Sequence, residues 1–262
     1  MIVPCYNEAR RLPKKKFLDF RMDNFDLRFL FVNDGSSDET QSVLETMCAQ
    51  APERLMSLRL MRNVGKAEAV RQGMLHGLRD NPDFVGFWDA DLATSLEELP
   101  RFCGAFEMNP AIELVMGSRI RLLGRTIERN AARHYIGRIF ATAASIALRM
   151  PVYDTQCGAK LFRRTPEIVT LFAQKFISKW TFDVEILARL AASNCARGVP
   201  AESGIFELPL AMWRDVHGSK VKLIDGIRAH IDIVRIGWTY RRSGTSAQAR
   251  TAASGLQIPS AN

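Results

Sequence analysis

The sequence predicts an α/β domain with a mostly parallel central sheet and helices on both faces. Two features carry that prediction. Short β-like runs alternate with helical patterns through the first half of the chain. Polar clusters also fall directly after apolar runs, at Asn33-Asp34-Gly35 and at Asp89-Ala90-Asp91. In open α/β sheets ligands bind in the crevice beyond the carboxyl ends of the strands, so these carboxylates belong to a functional rim.

The elements follow in order. Ile2-Val3 is the stub of a first strand, Arg28 to Val32 a second, Leu55 to Met61 a third, Phe84 to Trp88 a fourth and Ile112 to Met116 a fifth. Between them, Thr40 to Gln50, Ala67 to Leu78 and Leu96 to Met108 carry apolar residues three and four apart, the period of an amphipathic helix. After Arg119 the character changes. Arg121, Arg125, Arg129 and Arg133 recur every four residues and predict a basic column along one side of a helix. An apolar stretch, Ile136 to Leu148, follows; its core from Ile139 to Leu148 is bounded by Arg138 and Arg149 and is too short to span a bilayer. Next come a loop with Pro151, a strand at Lys160 to Arg163, helices over 167–175 and 183–193, and a strand at Ile205 to Leu208. Lys220 to Arg242 predicts a long basic amphipathic helix, and 243–262, rich in Ser, Ala, Thr and Gly, a disordered tail.

With 262 residues, 47% hydrophobic and 24% charged, the chain can bury one substantial core, or one core plus a short appended segment. The net charge of +8 favours anionic partners: nucleotides, phosphorylated substrates, acidic head groups or nucleic acid. A nucleic-acid reader has only that charge in its favour, since no reader motif is present, and no nucleic-acid partner is expected. Five cysteines without CxxC spacing suggest neither a disulfide framework nor a zinc site. The opening residues lack the basic and apolar regions of a signal peptide.

Asp89 and Asp91, one residue apart at a strand end, can hold a hard divalent cation, Mg²⁺ or Mn²⁺, that keeps open positions for phosphate oxygens. A solvated turn would look the same. The Asn33 to Asp38 turn can receive a base or ribose, while Ser37 or Asp38 can also cap the following helix; both roles are compatible. Gly65-Lys66 is followed by Ala67, which fails a P-loop, and no GxGxxG is present. The 220–242 helix suits either a membrane interface, with Trp238 at head-group depth, or packing on the domain core. His217 beside Gly218-Ser219 is a lone loop histidine, readable as a metal or diphosphate contact but more often neither.

Five motifs stand in the order and spacing of the family 2 glycosyltransferases of the GT-A fold, which the chain therefore resembles. They are Val3-Pro4-x-Tyr6-Asn7-Glu8, the Asn33 to Asp38 turn, Asn63-x-Gly65-Lys66, Asp89-Ala90-Asp91 and Gly117-Ser118-Arg119. Asp154 to Phe162, Trp180-x-Phe182-Asp183-x-Glu185 and Gly218-Ser219-Lys220 look like the dolichyl-phosphate β-glucosyltransferase branch, and the resemblance runs over roughly residues 1–237.

The resemblance implies roles at matching positions. Pro4, Tyr6, Glu8 and Asp34 would hold the nucleoside, with Lys66 near its phosphates and Asp89 and Asp91 on the metal and diphosphate. Arg119, Arg129, Arg133 and Lys220 would meet the lipid phosphate; Gln156, Lys160, Trp180, Asp183 and Glu185 would shape the sugar and acceptor pocket, with Trp180 also readable as a core aromatic. Asp89, Asp91, Arg119, Asp183 and Glu185 form the implied catalytic set. A glycosyltransferase domain is expected over 1–217, its nucleotide half ending near 118 and its acceptor half beginning at 119, followed by the 218–242 helix.

The implied reaction is inverting transfer of glucose from UDP-glucose to a polyprenyl phosphate, by a protein peripheral at the cytoplasmic, inner face of a membrane. Another sugar or acceptor, or a silent nucleotide-sugar-binding module, are the other readings. Two departures stand out. Ala93 occupies a position where related phosphomannosyl enzymes carry a Gln metal ligand, and the first strand is clipped where the family has a longer lead, often with a membrane anchor.

Overall fold

The apolar runs of the sequence become one seven-stranded sheet in the computed structural model, which describes residues 1–128, 131–215 and 229–240, with the backbone alone at 131–134 and 136. The strands are β1 (Ile2–Cys5), β2 (Phe29–Asn33), β3 (Leu55–Arg59), β4 (Phe84–Trp88), β5 (Leu114–Ser118), β7 (Ala159–Arg163) and β8 (Ile205–Pro209). They lie in the order β3-β2-β1-β4-β7-β5-β8. A small second sheet pairs β6 (Thr126–Glu128) with β9 (Met212–Arg214).

Every neighbouring pair in the main sheet is parallel except those of β7, which runs antiparallel between β4 and β5. Apolar periodicity carries no strand direction, so the sequence could not announce this reversal. Its consequence is functional. The segment entering β7 arrives at the same rim as the chain leaving β4 and β5, and Trp88 pairs with Ala159 there.

The helices are α1 (Lys14–Asp19), α2 (Thr40–Gln50), α3 (Lys66–Gly77), α4 (Leu99–Met108), α5 (Ala131–Leu148), α6 (Pro166–Ala173), α7 (Phe182–Ala196) and α8 (residues 229–240). Strand side chains alternate between two apolar layers, as the two-residue period of a strand requires. Val3, Phe31, Trp88 and Val115 meet Phe17 of α1, Leu44 and Met47 of α2, and Phe102 of α4. Ile2, Val32, Phe87 and Met116 meet Val70 and Met74 of α3, Phe172 of α6 and Ile186 of α7. Helices therefore cover both faces, as predicted.

The arginine column does not form. Arg121 and Arg125 lie in the loop before β6, where Gly124 takes a φ of 78°, and Ile127 is buried in a strand paired with Trp213. Arg133 alone is on α5, and Arg129 lies outside the described residues. A four-residue spacing of charges without an apolar stripe beside it does not specify a helix.

The predicted 220–242 helix is described over 229–240. Ala229, Ile233 and Ile236 pack on Phe140 and Ala144 of α5 and on Val184 and Ala188 of α7. Ser178 Oγ donates to Asp232 Oδ2 at 2.5 Å, and Tyr240 Oη donates to Glu185 Oε1 at 2.9 Å. The opposite face exposes Ile231, Val234 and Trp238 at 63%, 71% and 64%. Residues 243–262, predicted as a tail, lie outside the described residues, and no described helix is long and apolar enough to cross a membrane.

Candidate active site

The ends of β1 and β2 are stitched into one rim. Asn7, at a φ of 52°, donates its N–H to Ser36 Oγ at 3.0 Å and accepts from the Ser37 N–H at 2.9 Å. Asp38 accepts the N–H of Thr40, the first residue of α2, at 3.0 Å, while the cap position itself falls to Glu39 and not to Ser37 or Asp38. At Gly35 (φ 60°) a Cβ would fall 2.3 Å from the Arg62 carbonyl carbon, so only glycine fits.

Asp34 is buried and fully engaged. Oδ1 accepts the Val64 N–H at 2.7 Å; Oδ2 accepts the Gly65 N–H at 2.9 Å and Asn63 Nδ2 at 3.1 Å. Burial pushes its carboxyl up, against those two N–H bonds and the charge of Lys179. Asp34 thus shapes the Asn63–Gly65 turn that opens α3. Glu8 is also buried, with its carboxylate on Arg11 at 3.0 Å, while Tyr6 is exposed on the rim. Pro4 lies within β1, opposite Val32.

Lys66, the first residue of α3, places Nζ 2.5 Å from Asp89 Oδ1 at the end of β4. Burial alone would lower the ammonium's pKa, but Asp89, Asp183 and Asp91 together hold it above the ordinary value. Asp91 Oδ1 accepts the Ala93 N–H at 3.0 Å across a turn in which Leu92 takes a φ of 51°. Its carboxyl is pushed up, first by burial and then by the charge of Asp89. A buried carboxylate crowded by a second one suits a divalent cation, so the donor set of Asp89 and Asp91 fits a metal. Among the described residues no group of three His, Cys, Asp or Glu gathers for one. This pair would supply two ligands, and water or phosphate oxygens the remainder. Ala93 contributes only its backbone, so its side chain adds no ligand.

The reversed strand sets Gly158 directly against Asp89. A Cβ on Gly158 would fall 1.8 Å from Asp89 Oδ2. The carboxylate therefore lies on bare backbone of the segment that precedes β7. The sequence places this glycine within the Asp154 to Phe162 motif and gives it no role of its own.

Beyond that contact, Arg119 at the end of β5 makes a two-pronged pair with Asp154, Nε to Oδ2 at 2.6 Å and Nη2 to Oδ1 at 2.7 Å. Its guanidinium carbon sits 5.4 Å from the Trp213 ring. Glu207 of β8 accepts the N–H groups of Tyr153 and Asp154, both at 2.8 Å, and fixes the segment from behind. Gln156 is exposed, and Trp180 is 44% exposed, which excludes the core-aromatic reading.

Three of the residues implied for the pocket, Lys160, Asp183 and Glu185, are engaged in buried contacts. Lys160 is 0% exposed, and Nζ donates to Thr155 O at 2.9 Å, Cys157 O at 2.8 Å and Asp183 Oδ1 at 2.5 Å. It braces the loop before β7 from beneath, with Asp183 as its counter-ion. Glu185, 0% exposed, takes Arg189 Nη2 at 2.7 Å, the Ile177 N–H at 2.7 Å and the Tyr240 hydroxyl. It anchors α7 to α8. The side chain of Arg133 and all of Lys220 and His217 lie outside the described residues.

One residue in this region was read only as the boundary of an apolar run. Arg138 of α5 lines a narrow cleft with Arg119, Tyr153, Thr155 and Gln156. Its signal is a cation inside the apolar run Ile136 to Leu148.

Residues 1–168 match the family described as Glycosyl transferase family 2. A dolichyl-phosphate beta-glucosyltransferase of Trichomonas vaginalis is 30% identical over 252 residues, covering 92% of this chain and 71% of the relative. The dolichyl-phosphate beta-glucosyltransferase of Saccharomyces cerevisiae is 30% identical over 262 residues, covering 92% and 74%. Glucosyl-3-phosphoglycerate synthase from Mycobacterium tuberculosis, solved in complex with Mn²⁺ and UDP-glucose, shares the fold at a TM-score of 0.59. It is 16% identical, over 91% of this chain and 77% of that one.

Proposed function

Because the chain belongs to glycosyl transferase family 2 and is a glycosyltransferase, we propose that it moves glucose from UDP-glucose to a polyprenyl phosphate, with inversion, at the cytoplasmic face of a membrane. The observation that carries this reading is the junction at Gly158. There Asp89, suited to a nucleoside diphosphate, lies against the segment whose Asp154 holds Arg119, suited to a second anion. Relatives named for transfer to dolichyl phosphate support the acceptor. The UDP-glucose bound by a structure of the same fold supports the donor.

In this reading residues 1–118 take the nucleotide, with Tyr6 and the Asn33–Asp38 turn at its nucleoside and Lys66 at its phosphates. Mg²⁺ or Mn²⁺, held by Asp89 and Asp91, would supply neutralisation of the diphosphate charge. A phosphate monoester has its second pKa near 6 and is largely dianionic at neutral pH, so its oxygen needs no dedicated general base. That oxygen forms a bond to the anomeric carbon as the bond to UDP breaks, and the electron pair leaves with UDP. Lys66 steadies the departing diphosphate, while Arg119 offsets the repulsion between two approaching anions. Residues 119–217 take the acceptor. The 218–242 segment, with Ile231, Val234 and Trp238 facing outward beside the exposed Arg235, suits a peripheral membrane contact.

The test is transfer from a panel of radiolabelled UDP- and GDP-sugars to a short polyprenyl phosphate, with and without EDTA. Metal-dependent transfer of glucose from UDP-glucose, lost in Asp91→Ala, is expected. Retained UDP binding with no transfer from any donor would identify a silent nucleotide-sugar-binding module instead.

A further inference from the structure

The turn between β5 and β6 carries apolar side chains where a turn tip is ordinarily polar. The Arg125 N–H donates to Leu122 O at 3.1 Å, and Gly124 takes a φ of 78°. Those two features close a β-turn with Leu123 at its leading corner. Leu123 is fully exposed, at 104%, and Leu122 is 48% exposed. A Cβ at Gly124 would meet nothing within 4 Å, so the turn stands clear of the rest of the molecule.

Both ends of this projection are fixed. On one side Asp154 accepts the Arg119 backbone N–H at 3.0 Å as well as its guanidinium. On the other the Thr126 N–H donates to Ala211 O at 2.9 Å, and Ile127 is buried where β6 pairs with β9. So short a span between two anchors holds the leucines out in water. Met212, the β9 residue opposite Thr126, is 45% exposed at the base of the turn.

Single exposed apolar side chains are ordinary, but two adjacent leucines at a turn tip with a methionine at its base are a local concentration. It is far smaller than the roughly 800 Å² per partner that a stable protein interface buries. A bilayer demands no such area, because each apolar side chain that enters it contributes on its own. The charges agree with a lipid partner. Arg121 and Arg125, both exposed, bracket the leucines, and no acidic residue stands between Arg119 and Ile127. Cations beside an inserted apolar group face anionic head groups.

We propose that the 121–125 turn is a membrane anchor, in which Leu122 and Leu123 enter the head-group layer of an anionic bilayer and Arg121 and Arg125 meet its phosphates. It rests on the reading of a peripheral membrane protein and adds to α8 a second contact, next to Arg119. A lipid-borne acceptor then meets the site close to where the protein is tethered.

Co-sedimentation of the full chain with phosphatidylcholine vesicles, with and without phosphatidylglycerol, tests it, with UDP binding as the check on folding. The double variant Leu122→Ser, Leu123→Ser is expected to bind anionic vesicles about 10-fold more weakly or worse, the scale of apolar side chains withdrawn from lipid. Arg125→Gln is expected to lose several-fold, and only on vesicles that carry phosphatidylglycerol. Leu123→Trp is expected to bind more tightly, with its added fluorescence shifted to shorter wavelength on vesicles. UDP affinity stays at the wild-type value in all three. Wild-type vesicle binding by the double leucine variant overturns the anchor; if Trp238→Ser loses binding in the same assay, the peripheral reading survives without it. A wild-type protein that binds neither kind of vesicle overturns both. A wild-type dimer that the leucine substitutions split, with vesicle binding intact, overturns the anchor in favour of a contact between copies.

Discussion

Lys66 and Lys160 each place an ammonium 2.5 Å from an aspartate, yet the two pairs do different work. On the rim, Lys66 and Asp89 have side chains 37% and 33% exposed, and Asp91 crowds the same space. Beneath it, Lys160 and Asp183 are 0% and 8% exposed, and Nζ has two carbonyls as further acceptors. A pair open to solvent can be opened by a ligand at small cost, whereas breaking a buried pair leaves an uncompensated charge in low dielectric. The first is built to exchange partners with a diphosphate; the second holds the loop that meets it.

The largest effect should come from breaking the lower pair. Lys160→Met leaves Asp183 buried without its counter-ion and is expected to destabilise by about 3–5 kcal/mol in urea unfolding. Lys66→Met is expected to cost about 1 kcal/mol or less in the same assay, while its donor affinity falls. Equal stability losses would erase the distinction. Between the two lies Gly158. Gly158→Ala must displace the Asp89 carboxylate, and a misplacement of about 1 Å can cost about 100-fold in turnover. Its effect should vanish in an Asp89→Ala background, because both changes remove the same placed carboxylate. Additive losses would mean that the glycine matters for the loop alone.

The smallest effect concerns pH. The Asp91 carboxyl is pushed up by burial and by Asp89, so the folded protein holds this proton more tightly than the unfolded chain. That contribution favours the fold at acid pH and is lost as pH rises through the raised value. In EDTA, Asp91→Asn is therefore expected to be more stable than its parent at neutral pH, with the gap closing as pH falls towards about 4. Adding a divalent cation and UDP should reverse the order, since only the parent can hold the metal.

Where local pattern decides structure, the sequence was sufficient: Phe84–Trp88 and Thr40–Gln50 form with the bounds their periodicity indicated. The rim was legible too, because Asn33-Asp34 and Asp89-x-Asp91 follow strands. Direction was not. Nothing in Ala159–Arg163 marks it as the antiparallel strand, and that reversal creates the Gly158 contact. Burial was not legible either. Lys160 and Glu185 stand in motifs beside rim residues, but long-range packing turns them inward onto Asp183 and Tyr240. Arg138 escaped for the converse reason: it stands in an apolar run, and only the approach of Tyr153 and Thr155 makes it part of a cleft.

The central claim is that a sugar passes from the carboxylate side of the Gly158 junction to an anion on the arginine side. The most direct measurement is nuclear magnetic resonance of the product formed from UDP-glucose and a short polyprenyl phosphate. A β-linked glucosyl phosphate ester, formed with loss of UDP and absent without divalent metal, is the predicted result. An α-linked product, or glucose transferred only to a hydroxyl acceptor, would contradict the account.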